Sequence, residues 1–582
     1  MIKEFSISND KVTINFTAKY CSDYQTLLDS DGFKRVLEAF LSTAERRNSN
    51  AYKFILEKLK CSDKTVLVKK LTNTFLLLTT MSVEEMADLN SEYLLLVDNK
   101  DSFIDFVEAL YSFWRRLERY SIVHNNRIQE GIAAVSFTEA NSNFSRLVLS
   151  LYRKIEKNIT GYMPNVYRQV PAGTNACMML SDVIWPVPNG YEMLEQIPFI
   201  DTISLETPFI TYPKKNTRDG MFQEVKENPL DNAHINRDHW FCYPAMIGEL
   251  LGFIYFHRDF MEHGITLCNL FELAKVEEYR GRKPDIVYIF GGTDHSEELK
   301  TVFYEDKQND IMVGYVNHNQ EIDYFGYMKK MCLTLHNLIM IKRGYLPTHG
   351  SMVNIVLKDG KQANIVIMGD SGAGKSESLE AFRALSEEYI SDMTIIFDDM
   401  GVMKEKNGQI YGYGTEIGAF VRLDDLDQGY AFKEIDRSIF MNPDKINARL
   451  VMPVATYKEI RQGYKIDLLL YANNYTDVKE GEHSISFFDN VEEAKKVFKA
   501  GARVAKGTTT EKGLVTSYFA NPFGPAQKQK ETDKIIDKYF DTYFKNNVRV
   551  GEIKTCLAIT GKEKQGPKKA AIELFDIIKK IK

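Results

Sequence analysis

Residues 365–382 read IVIMGDSGAGKSESLEAF, and the reading of this stretch decides the fold class. Gly369, four intervening residues, then Gly374-Lys375-Ser376 is the spacing of a phosphate-binding loop. The context matters more than the letters. A β-branched run, Ile365–Met368, precedes the loop, and a helix-forming run opens at Glu377. Glycines at this spacing let successive backbone N–H groups close around phosphate oxygens, and the helix N-terminus adds partial positive charge. Gly369, Asp370, Ser371, Gly372, Ala373, Gly374, Lys375 and Ser376 are therefore the expected nucleotide-binding residues. Lys375 is expected to neutralise β/γ-phosphate oxygens, and Ser376 to give its hydroxyl to Mg²⁺.

Working outward, TIIFDDMG (394–401) places Asp398 and Asp399 at the end of an apolar strand-like run. Two adjacent carboxylates there are costly to bury without a cation, so both are expected to face a metal beside Lys375. Further strand-like runs, Asp285–Phe290, Asn364–Met368, Lys465–Tyr471 and Lys554–Thr560, alternate with helical patterns. That alternation predicts a mixed α/β body. The first part of the chain reads as helical. Phe33, Val36, Leu37, Phe40 and Leu41 share one helix face, as do Val107, Leu110, Trp114 and Leu117. Between them and the body, Pro, Gly and Asn accumulate around 160–235, and RQVPAGTNACMML (168–180) reads either as a segment lining the cleft or, preferably, as a turn packed on the core. The expected organisation is a helix-rich extension over 1–200, an α/β substrate domain over 201–345, and a mixed-sheet P-loop domain over 346–582. The Lys-rich tail (KEKQGPKK, then KKIK) reads as solvated ends of the last helix.

Composition bounds the answer without supplying it. A chain of 582 residues with 44% hydrophobic and 26% charged residues is long enough for at least two cores. Its formal charge of -6 gives no bulk attraction for nucleic acid. No apolar run approaches the roughly 20 residues of a membrane span, and MIKEFSISND has no signal-peptide character. Seven scattered cysteines without CxxC spacing suit a reducing compartment, so a cytoplasmic protein without membrane or nucleic-acid partners is expected.

Just before the loop stands YFGYMKKMCLTLHNLIMIKRGYLPTHGSM (324–352). It resembles the segment of ATP-dependent phosphoenolpyruvate carboxykinases that reads approximately Y-x-G-x-M-K-K, a helix, then K-G-x-x-x-x-H. Tyr324, Gly326, Met328, Lys329 and Lys330 match its first part, and Lys342, Gly344 and His349 its second. KPDIVYIFGGTDHS (283–296), Arg449 in NARLVMPV, the Lys465–Tyr471 run and AKGTTTEKGLVTSYFANPFGP (505–525) resemble further family segments in the same order. The resemblance covers about 280–582 and implies a carboxykinase-like fold. It also implies that Lys330, His349 and Asp399 bind a transition metal, usually Mn²⁺, beside the nucleotide-bound Mg²⁺ at Ser376. The implied reaction decarboxylates oxaloacetate and transfers the γ-phosphoryl group of ATP, giving phosphoenolpyruvate, CO₂ and ADP, reversibly. Lys375 and Arg449 would neutralise the transferring group, Tyr324 would position substrate, and Arg218 in KKNTRDGMF is the candidate substrate-binding arginine.

The chain also departs from that family. GDSGAGKSE is closer to the loop of HPr kinase/phosphorylase, and GSMV (350–353) stands where carboxykinases usually have C-S-A-N. GTEIGAFVRL (414–423) follows the aspartates, where Glu416 and Arg422 are candidates for related work. Lys512 replaces the nucleotide-side arginine of the family's A-G-T-E-R. The phosphate donor is thus open between ATP, another nucleotide and pyrophosphate. Two alternatives stay beside the carboxykinase reading: a phosphotransferase acting on a protein or small-molecule hydroxyl, and a non-catalytic nucleotide sensor. The N-terminal region is expected to serve an oligomer or protein contact.

Overall fold

The structure, a computed structural model, describes residues 4–8, 11–46, 49–89, 91–124, 137–161, 175–205, 208–218, 220–294, 298–370, 372–423, 426, 437–505 and 513–580. Ser371 and Lys512, both expected at the nucleotide, lie outside the described residues. It is a mixed α/β protein with several mixed sheets. Among the described residues, no helix is long and apolar enough to cross a membrane. The chain divides into two compact units, Met1–Ser181 with Ile200–Glu206, and Asp182–Phe199 with Thr207–Lys582. By contacts, Ile200–Glu206 belongs with the first unit, while Asp182–Phe199 and 207–345 fall in the same unit as 346–582.

The first unit is helical over most of its length, as the periodicity predicts, but it is not purely helical. Helix Asp31–Arg46 buries Val36, Leu37, Phe40, Leu41 and Ala44 on one face, and Lys100–Arg116 adds Phe103, Phe106 and Val107 to the same core. Strand Lys11–Asn15 runs parallel to Glu118–His124, which runs parallel to Ala176–Ser181. The last of these corrects the turn expected over 168–180: Ala176–Ser181 is a buried strand, and 168–174 lies outside the described residues. ACMMLS has no polar alternation because a strand covered on both faces needs none.

In the second unit, strands Leu250–His257, Ile286–Gly292 and Ile311–Asn317 run parallel side by side. Trp240–Ile247 joins Leu250–His257 as an antiparallel hairpin. Helix Phe325–Lys342 is buried nearly all round, so its apolar composition shows no solvent face. A second sheet builds the P-loop region. The twelve-residue strand Leu346–Leu357 lies antiparallel to Gln362–Met368 on one side, and to Ile390–Phe397 and Met400–Lys406 on the other. Gln362–Met368 runs parallel to Leu468–Asn473, and that strand parallel to Arg549–Lys554. The last strand corrects Lys554–Thr560, which begins where the strand ends; Arg and Gly in RVGEIK hide a strand that its buried Val550 and Ile553 reveal. A smaller sheet carries Gly418–Arg422 beside Arg449–Pro453. Helix Lys375–Ala384 shares a core with the final helix, Gln565–Lys579, through Leu379, Phe382, Leu574 and Phe575. KEKQGPKK spans the start of that final helix, which ends at Lys579.

Candidate functional site

The predicted residues that the structure describes are held by identifiable local devices. After strand Gln362–Met368 the chain turns through Gly372 (φ 80°) and Gly374 (φ 105°), and helix Lys375–Ala384 begins. Gly374 caps that helix in a conformation side chains rarely adopt, and a Cβ there would lie 2.6 Å from Thr555 Oγ1. Lys375 is buried and its Nζ donates to the Asp370 carbonyl at 3.1 Å. Burial pushes the Lys375 ammonium below its ordinary value, against the pull of Asp399, Asp370 and Asp398. Ser376 Oγ donates to Asp398 Oδ1 at 3.4 Å, so hydroxyl and carboxylate face one another as a shared Mg²⁺ would require.

Asp398 and Asp399 occupy the break between strands Ile390–Phe397 and Met400–Lys406. Burial raises Asp398 to about 6, with the Asp399 charge adding to it. Asp399 behaves oppositely. Its Oδ2 lies 2.6 Å from both Lys329 Nζ and Lys330 Nζ, and its Oδ1 lies 2.9 Å from His349 Nε2. Burial disfavours its charge, but Lys329 and Lys330 outweigh burial and hold it well below the carboxylate range.

One carboxylate does not hold two buried ammoniums equally. Lys329 is fully enclosed and has a second partner, Glu416 Oε2 at 3.3 Å. Burial works against its charge, yet Asp399 and Glu416 together keep it above the ordinary lysine value. Among the described residues Lys330 pairs with Asp399 alone, and Glu416 acts on it only as a weaker, more distant charge. Burial, reinforced by the neighbouring Lys329, lowers it to about 8 despite Asp399. Lys330 is therefore the lysine able to lose a proton and offer a lone pair.

His349 sits on strand Leu346–Leu357, paired with Met400. Its Nδ1 meets the Ala520 carbonyl at 2.7 Å, and a carbonyl only accepts, so Nδ1 carries the proton. Nε2 of the neutral ring then points a bare lone pair at Asp399 Oδ1, acceptor against acceptor. Protonating Nε2 would relieve this, but burial and the nearby Lys375 charge lower the His349 pKa. A divalent cation relieves it without that cost. Imidazole, carboxylate and a deprotonated amine are a donor set for such an ion.

Two aromatic rings gather the remaining residues. The Lys330 ammonium lies 4.5 Å over the Phe523 ring, and the Arg218 guanidinium 5.3 Å from it, so Arg218, half-buried, belongs to the same neighbourhood. Arg449 lies 5.3 Å over Phe420, and the Tyr324 ring 6.0 Å from Phe420. Arg449 Nε is buried with no hydrogen-bond partner among the described residues, an unmet donor suited to an anion. Tyr324 stands at the N-cap of helix Phe325–Lys342, and Gly326 makes room for its ring, since a Cβ there would lie 2.3 Å from it.

Sequence reasoning left four residues without a role that the structure places here. Lys329 matched the lysine pair, but adjacency alone could not show both side chains reaching one carboxylate. Phe420 and Phe523 fall in segments the sequence singles out, but it attaches no role to either ring. Arg503 is buried in the short strand Ala502–Val504, its Nε 3.2 Å from Asp370 Oδ2, and an arginine between Ala and Val was the available signal. Asp370, expected only as part of the loop backbone, also places its Oδ1 3.6 Å from His349 Nδ1. No protein-family model matches the chain, and no curated protein matches it.

Proposed function

We propose that the second unit is a carboxykinase-like P-loop enzyme. Its reaction would be metal-dependent decarboxylation of oxaloacetate with phosphoryl transfer from ATP, giving phosphoenolpyruvate, CO₂ and ADP, and the reverse. The observation that carries this reading is the convergence of Lys330, His349 and Asp399, from a helix, a strand and a strand break, beside a P-loop lysine. A nucleotide phosphotransferase needs only the loop and one acidic residue. A buried amine–imidazole–carboxylate set next to it is an additional metal-type donor set, which the carboxykinase resemblance assigns to the ion that stabilises an enolate.

In this reading Lys330, His349 and Asp399 hold Mn²⁺, and Ser376 with Asp398 holds the nucleotide's Mg²⁺. When bound, these ions supply Lewis-acid stabilisation of charge on the enolate and phosphoryl oxygens. Lys375 and the loop amides bind β/γ oxygens and orient the chain of phosphates. Arg449 joins Lys375 in neutralising the transferring phosphoryl group, Arg218 takes a substrate carboxylate, and Tyr324 fixes the substrate's orientation. Phe420 and Phe523 exclude water from the reacting centre, which strengthens every charge interaction there. Substrates are small anions, and the local cations recruit them against a net charge of -6. A cytoplasmic location suits these metabolites.

The loop sequence GDSGAGKSE favours one competitor, phosphoryl transfer to a hydroxyl. The test is ATP turnover with Mg²⁺ and Mn²⁺ in the presence of oxaloacetate or of a panel of hydroxyl acceptors. The carboxykinase reading expects ADP and CO₂ in equal amounts with oxaloacetate alone, lost in Lys330→Ala. ADP formed only with a hydroxyl acceptor, and without CO₂, would overturn it.

A further inference from the structure

A second set of metal-type donors lies outside the P-loop region, at the C-terminal ends of parallel strands. In open α/β sheets that edge is where ligands collect, because successive loops converge there. Strand Leu250–His257 ends on His257, and His318 directly follows strand Ile311–Asn317, with Ile286–Gly292 between the two. The backbone N–H of His318 donates to the Gly292 carbonyl at 2.7 Å, which holds His318 against the middle strand. A 3₁₀ turn, Arg258–Phe260, then swings Asp259 back between the histidines.

The resulting distances are short. Asp259 Oδ2 lies 3.1 Å from His318 Nε2 and 3.5 Å from His257 Nδ1. One donor atom from each residue falls within 4.8 Å of the other two. The rings of His257 and His318 sit edge to face at 5.2 Å, and His239 packs against His257 at 5.8 Å. The backbone N–H of Asp259 donates to His257 Nδ1 at 3.3 Å, so that nitrogen bears no proton. Its lone pair therefore shares the space with the Asp259 carboxylate, two acceptors facing one another. The N–H contact is long and is readily exchanged for a stronger bond.

We propose that His257, Asp259 and His318 form a second divalent-cation site, separate from the Lys330–His349–Asp399 set, that takes Zn²⁺ or another first-row transition metal. Two imidazoles and a carboxylate suit zinc at these spacings, with water completing the coordination. Thiolate-preferring and all-oxygen-preferring ions are disfavoured by the same donors. Partial exposure of His318 leaves the site open to exchange with solvent. A bound ion would tie the ends of two strands and the intervening turn together, so its effect is expected on local order as well as on occupancy.

The test is equilibrium dialysis of the full-length protein against Zn²⁺, with Co²⁺ absorption as a second readout. The variants are His318→Ala, Asp259→Asn and, to silence the other candidate centre, His349→Ala. His349→Ala should keep one Zn²⁺ equivalent and the visible Co²⁺ bands of an imidazole-ligated ion. Adding His318→Ala or Asp259→Asn to it should weaken that equivalent about tenfold or more, since even residues supporting a ligand cost that much. The proposal is overturned if His349→Ala protein binds no Zn²⁺ equivalent, or if both added substitutions leave its binding unchanged. Because the His349→Ala protein alone must show the site, misfolding of a further variant does not rescue the proposal.

Discussion

Replacing Asp399 with Asn removes the one charge shared by Lys329, Lys330 and His349. Breaking a buried ion pair from one side costs about 3–5 kcal/mol, because the partner charge stays buried and uncompensated. Here the two lysines respond differently. Lys329 keeps Glu416 at 3.3 Å and remains charged. Lys330, already lowered to about 8, sheds its proton. At pH 7 that release costs about 1.4 kcal/mol, one unit of pKa difference. The loss is therefore expected near the low end, about 3 kcal/mol for metal-free protein at pH 7. Urea unfolding followed by tryptophan fluorescence measures it. Trp185 and Trp240 lie in the second unit and Trp114 in the first, so a Trp114→Phe background isolates the relevant transition. At pH 9 the deficit should shrink, because Lys330 is then neutral before the substitution is made. Lys330→Met should rescue part of the loss at pH 7. A deficit below about 1 kcal/mol at pH 7, or one that is no smaller at pH 9, would refute the assignment of Lys329 as the held cation and Lys330 as the yielding one.

Three further outcomes follow from the same geometry. Mn²⁺ should bind more tightly as pH rises, by about tenfold per unit while Lys330 must release a proton, and level off above about pH 8; electron paramagnetic resonance of free Mn²⁺ reads this directly. Asp398→Asn should stabilise the metal-free protein at neutral pH. A carboxyl raised from 3.8 to about 6 favours the folded state below pH 4 and loses that contribution as pH climbs towards 6, and Asn has no such titration. The gain is on the order of 2–3 kcal/mol, and the stability–pH slope between 4 and 6 should flatten, while Mg²⁺–nucleotide binding falls. Gly374→Ala should weaken ATP binding tenfold or more by calorimetry, since the new Cβ meets Thr555 in a φ of 105° and strain of this kind costs about 1–3 kcal/mol. Unchanged binding would remove the loop from the nucleotide site.

Much of this was legible before any coordinates. The P-loop is a local device, where glycine positions and flanking strand and helix are written contiguously, and the spacing from Tyr324 to His349 carries a helix and a strand in register. Asp398 and Asp399 announced themselves as an adjacent acidic pair after an apolar run. What stayed hidden depends on long-range approach. The separate fates of Lys329 and Lys330 come largely from Glu416, which pairs with Lys329 at 3.3 Å, and 85 residues of chain lie between 330 and 416, so the sequence could name Glu416 as a candidate but not its partner. Arg503 and Asp370 meet because a short hairpin returns beside the loop. Ala176–Ser181 read as a turn because glycine and asparagine precede it, while its neighbours in the sheet lie far off in sequence.

The most direct test of the central claim is the carboxylation direction in purified full-length protein. Phosphoenolpyruvate, bicarbonate, Mn²⁺, Mg²⁺ and ADP are supplied, with GDP or phosphate replacing ADP in parallel, and oxaloacetate is trapped as malate by NADH oxidation. The account predicts NADH oxidation that depends on bicarbonate, on Mn²⁺ and on one of these phosphate acceptors, and that disappears in Lys330→Ala and His349→Ala. No oxaloacetate with any acceptor, from protein that still binds nucleotide, would contradict it.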